Sequence, residues 1–83
     1  MWYSVLRTEM SVASNVIKAG SIYEVKKYND KLILCIPTEG ESAKRAGQFK
    51  TTIKEARTIF TRPTKDFNDA VEESFMQSEA NYC

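Results

Sequence analysis

Five acidic residues outside the C-terminal segment are candidates for acid–base chemistry: Glu24, Asp30, Glu39, Glu41 and Glu55. Glu39 and Glu41 share one polar stretch and are the only two placed to act as a pair. Histidine is absent. That removes the commonest general base near neutral pH and the commonest metal ligand. No serine or cysteine has a histidine to activate it, so triad chemistry is excluded. The two cysteines, Cys35 and Cys83, form no CxxC pair and no metal spacing. The sequence therefore points away from an enzyme, from a cofactor and from a metal. A buried Cys35, a terminal Cys83 and no disulfide between them are expected, as suits a reducing cytoplasm.

Charge gives the more useful signal. All 12 Lys and Arg fall within residues 1–65, with six acids there, a net of +6. The other five acids, Asp66, Asp69, Glu72, Glu73 and Glu79, lie in residues 66–83 with no base, a net of −5. Lys44, Arg45, Lys50, Lys54, Arg57, Arg62 and Lys65 crowd into residues 44–65 against one acid, Glu55. Phosphate contacts dominate non-specific nucleic-acid affinity, and Phe49, Phe60 and the tyrosines offer faces on which bases stack. The first six of those cations, Lys44, Arg45, Lys50, Lys54, Arg57 and Arg62, are the candidate nucleic-acid site. Ala43-Lys44-Arg45-Ala46-Gly47-Gln48 is basic and contains glycine, but it lacks the P-loop spacing. Asp69, Glu72 and Glu73 are the candidate protein-binding site, because an acidic helix face can occupy a partner's basic groove.

The elements that must hold these groups follow from periodicity. A chain of 83 residues makes one domain and buries only roughly 60 to 65% of its unfolded surface. Residues 1–62 read as mainly β and residues 64–78 as a helix. Residues 1–8 are rich in strand formers and read as a strand, residues 9–15 read as a loop, and Val16-Ile17 extends toward a bend at Gly20. Ile22 to Lys27 alternates, Asn29-Asp30 is a turn, and Leu32 to Ile36 is apolar throughout. That predicts a hairpin whose second strand is covered on both faces and ends at Pro37. Residues 38–48 read as a polar loop. In 49–61 two patterns compete: β-favouring residues, and a capping box at Thr52-Ile53-Lys54-Glu55 with helical spacing after it.

The spacing predicts a helix over 64–78, capped by Thr64 and apolar along Phe67, Val71 and Phe75. The expected core is Trp2, Tyr23, Val25, Leu32, Leu34, Ile36, Phe67, Val71 and Phe75. The N-terminus lacks a basic leader, and the longest apolar run is too short to span a bilayer, so the expected location is the cytoplasm.

Ala19-Gly20-Ser21-Ile22-Tyr23-Glu24-Val25, then a polar turn, an apolar strand and an acidic-glycine stretch, resembles the opening of small SH3-like barrels among bacteriophage accessory proteins. The likeness covers residues 18–40. With the helix read over 64–78, the expected fold is α+β: a small antiparallel sheet or, as the resemblance implies, a partly open SH3-like barrel, with a C-terminal amphipathic helix. The resemblance also implies a role in host takeover: a non-enzymatic inhibitor or regulator that occludes a host protein, in the host cytoplasm. RNA binding through the basic 44–65 region is the alternative.

Overall fold

A computed structural model describes residues 1–80, and within them the side chains of all but 41–43 and 78–80. Cys83, Tyr82 and the side chains of Glu41 and Glu79 thus lie outside the described residues. The elements, in order, are β1 (Trp2–Val5), β2 (Met10–Val12), β3 (Asn15–Ile17), β4 (Ile22–Lys27), β5 (Leu32–Pro37), α1 (Gly40–Gly47), β6 (Phe49–Thr52), α2 (Ile53–Ile59) and α3 (Phe67–Ala80). The fold is α+β. One antiparallel sheet has the order β1-β4-β5-β6, and β2 and β3 form a separate hairpin. The four-stranded sheet does not close into a barrel.

The β4–β5 hairpin forms as its sequence predicts. Tyr23 pairs with Pro37 and Lys27 with Ile33, and the Asn29 side chain accepts from the Lys31 and Leu32 amides, both at 2.8 Å. An Asx turn of this kind fixes the register from within the loop. Alternation then places Tyr23 and Val25 on the buried face. Cys35 sits opposite Val25, and Phe49 of β6 opposite Cys35. Pro37 closes β5, as a residue without an amide proton should.

The core stands on that face. Leu6, Tyr23, Val25, Cys35 and Phe60 are its buried members, with Met10, Ile17, Ile33, Phe49, Ala56 and Ile59 packed around them. The Tyr23 and Phe60 rings lie 5.3 Å apart, and both neighbour Phe49. The Tyr23 hydroxyl donates to the Gly47 carbonyl at 3.0 Å. Gly47 must be glycine here: a Cβ would stand 2.8 Å from Pro37 Cγ and 3.1 Å from that hydroxyl. Gly20 has φ +94°, the bend its residue type allows, and its amide donates to the Leu6 carbonyl.

Several expectations are corrected. Residues 9–15 are not a loop. Met10–Val12 and Asn15–Ile17 pair around a two-residue turn, Ala13-Ser14, both at positive φ. Residues 38–48 are not a loop either, since α1 occupies Gly40–Gly47, and with α2 it adds helix to a stretch read as mainly β. β5 is interior to the sheet but not fully buried: Cys35 and Pro37 are buried, while Leu32, Ile33, Leu34 and Ile36 stay half-buried. In 49–61 both patterns hold in succession, strand to Thr52 and then helix. Thr52 caps α2 by accepting from the Glu55 amide at 3.2 Å, while the Glu55 carboxylate accepts from Thr51.

Helix α3 departs furthest from its reading. Its cap is Asp66, whose carboxylate accepts from the Asn68 amide at 2.9 Å, and Thr64 instead accepts from the Asp66 amide. The Phe67-Val71-Phe75 stripe is not its buried face. Phe67 is 43% exposed and Phe75 68% exposed, whereas Ala70 is buried. The reason is close approach. Ala70 and Ser74 are small, and the Ser74 hydroxyl donates to the Gly20 carbonyl. A row of phenylalanines would hold the helix further off. Trp2 also leaves the expected core, at 46% exposed.

Candidate nucleic-acid interface

A groove of about 1080 Å³ is bounded by β1, the end of β4, α2 and the segment that follows it. Pairing builds it. Trp2 stands opposite Val25 because β1 and β4 are antiparallel. The segment 60–64 then runs along the other edge of β1. Leu6 bridges to Phe60, Tyr3 bridges to Thr64, and Thr61 Oγ1 accepts from the Val5 amide at 3.0 Å. These bonds bring Phe60, Thr61, Arg62 and Pro63 beside Trp2.

The lining is basic and apolar. Arg7, Lys26, Lys27, Arg57 and Arg62 contribute positive charge, and Glu73 of α3 is the acid among them. The apolar surface comes from Trp2, Ile33, Ile53, Phe60 and Pro63 among others. Lys27 has an exposed ion pair with Asp30 at 3.6 Å, which contributes little in water. Lys65 Nζ lies 4.9 Å from the Trp2 ring centroid, a cation–π arrangement that steadies the indole.

The sequence candidates divide. Arg57 and Arg62 line the groove. Lys44 and Arg45 stand in the last turn of α1, Lys54 at the start of α2, and Lys50 on β6, its ammonium 3.9 Å from the Tyr28 ring centroid. None of these four lines the groove. Arg7, Lys26 and Lys27 were missed, because only the pairing of β1 with β4 and with residues 60–64 carries them to it. The acidic candidates divide too. Glu73 lines the groove, while Asp69 and Glu72 are exposed on α3.

Tyr23 and Cys35 are the groups whose acidity is displaced. Burial, then the neighbouring Cys35 and Glu39, pushes the Tyr23 phenol up to about 12. Burial alone pushes the Cys35 thiol up to about 12. Both are held neutral in the core, the opposite of an activated nucleophile. Among the described residues, no three His, Cys, Asp or Glu side chains gather to hold a metal ion. No described helix is long and apolar enough to cross a membrane. Comparison with protein-family models, with curated proteins and with solved structures gives no match.

Proposed function

We propose that this protein is a non-enzymatic binding module whose groove takes single-stranded nucleic acid, RNA in the first instance. One observation carries the reading: five cationic residues and an exposed indole line one concave surface. Arginine and lysine meet phosphates there, and Trp2 offers a ring face to a base. A duplex presents no free base faces, so single strands fit better. The test is binding of a fluorescent oligouridylate at varied salt. With three to five phosphates engaged, the log-affinity against log-salt slope is about −2 to −3.5. Arg57→Glu with Arg62→Glu removes binding, and Lys44→Glu with Arg45→Glu, outside the groove, leaves most of it. Trp2→Ala costs about 1 to 3 kcal/mol through one lost stack. No binding at low salt ends this reading.

A second reading, a phage-type inhibitor that occludes a host protein, is supported by α3. Asp69 and Glu72 lie beside Phe75 and Met76, all four exposed. Asp69→Lys with Glu72→Lys should then abolish capture of the partner and spare oligonucleotide binding. The finer fold reading, a partly open SH3-like barrel, belongs with this second proposal. Its support is the glycine-led β4–β5 hairpin and the run of residues 60–64 along β1.

A further inference from the structure

Helix α3 packs Phe67 edge-on against Tyr3 and half-buries Val71, but turns Phe75 and Met76 away from its own protein. At 3.6 residues per turn, Asp69, Glu72, Phe75 and Met76 share one arc, opposite the buried arc of Ala70 and Ser74. Phe75 is 68% and Met76 62% exposed. Neither is needed to hold the helix down, since Ala70 and the Ser74–Gly20 hydrogen bond do that. The arc is therefore an apolar ridge edged by two carboxylates. The helix has no basic residue anywhere along it.

The same chain carries the complement of that ridge. The groove is apolar at Ile53, Phe60 and Pro63 and cationic at Arg57 and Arg62. Apolar matches apolar, and acid matches base. The two surfaces are also neighbours, because Glu73 and Gln77 of α3 form part of the groove wall. When a ridge and its complement lie side by side, a two-fold axis between them satisfies both at once and closes the assembly at two copies. The net charge of +1 sets no strong repulsion against pairing.

We propose that a second copy of this chain occupies the groove: two protomers exchange their α3 ridges, each placing Phe75 and Met76 against the other's Ile53, Phe60 and Pro63, with Asp69 and Glu72 facing Arg57 and Arg62. The inference goes beyond nucleic-acid binding and does not depend on it. Its consequence is that pairing and any other occupant of the groove exclude one another.

Sedimentation velocity across micromolar to millimolar chain tests it. The expected result is a mass that doubles at high concentration and low salt, then falls back as salt is added. Phe75→Ser with Met76→Ser, at sites exposed in the protomer, weakens pairing at least tenfold while circular dichroism stays unchanged. Asp69→Lys with Glu72→Lys abolishes pairing, and adding Arg57→Glu with Arg62→Glu to that chain restores it. A chain monomeric throughout overturns the proposal. So does growth beyond two copies, or a charge-swapped chain that stays monomeric. A monomer that instead binds a cationic amphipathic Lys/Leu helical peptide through Phe75 assigns the ridge to a foreign basic segment and overturns it as well. Oligonucleotide binding by the Phe75→Ser/Met76→Ser monomer is measured separately, so failure of one reading is distinguishable from failure of the other.

Discussion

Two phenylalanines, Phe60 and Phe75, have opposite duties. Phe60 follows a run of β-branched residues and enters the core, and Phe75 completes a helical stripe and faces outward. Phe60→Ala should cost about 3 to 5 kcal/mol, because a buried ring leaves a cavity. Phe75→Ala should change stability by no more than about 0.5 kcal/mol. Urea denaturation midpoints of the two variants check both, and equal losses would contradict the packing described. The stripe misled because periodicity reports that a helix has an apolar side without saying which side faces the sheet. Here the small side docks.

The core also sets a pH limit. Cys35 is raised from an unfolded value of 9.0 to about 12, and Tyr23 from 10.0 to about 12. For a group raised on folding, its contribution is complete below the unfolded value and disappears as pH climbs to the folded one. Stability should therefore be flat from neutrality to pH 9 with respect to these groups, then fall toward pH 12. Cys35→Ala should be less stable at neutral pH yet show a shallower loss beginning at pH 9. Denaturant titrations at pH 7, 9 and 11 read this directly, and an identical alkaline slope in the variant would exclude Cys35 as a cause.

Among the elements, those with strong local chemistry were legible. Asn29 announces its turn, Thr52 and Glu55 their helix start, and Pro37 a strand end. The β2–β3 hairpin was not, because its turn uses Ala13 and Ser14 at φ 48° and 73°. Such turns favour Asn-Gly, and a side chain in this region costs roughly 1 to 2 kcal/mol. Ala13→Asn with Ser14→Gly should accordingly stabilise the protein by about 1 kcal/mol, seen as a raised urea midpoint at unchanged slope. Helix α1 was hidden for another reason. Gly40–Gly47 is short and polar, and Glu39 gives it no side-chain cap. Its position depends on tertiary contacts such as the Tyr23–Gly47 bond. At α2 the local signal is real, and Thr52→Ala should cost about 1 kcal/mol.

At the scale of the whole molecule, charge segregation was visible but its geometry was not. Arg57 and Arg62 are near neighbours in sequence. Arg7, Lys26 and Lys27 reach them only through long-range pairing. The same pairing gives the C-terminal third a structural duty. Residues 60–64 give β1 its second set of partners, and Phe60 completes the core. A chain ending at Ile59 should lose its cooperative urea transition. A sharp transition in that fragment would show β1 to be held by β4 alone.

The position of residues 60–64 beside β1 has a temporal side. During synthesis Val5 leaves the ribosome long before Thr61, whose amide donates to the Val5 carbonyl and whose hydroxyl accepts from the Val5 amide. At about 5 to 20 residues per second, the first strand waits roughly 3 to 11 s with one edge open. Tyr3 and Val5 are apolar, and an unpaired strand of that kind invites pairing with neighbouring nascent chains. Slowed translation between codons 7 and 60 should therefore lower the soluble yield, and the same slowing after codon 66 should not.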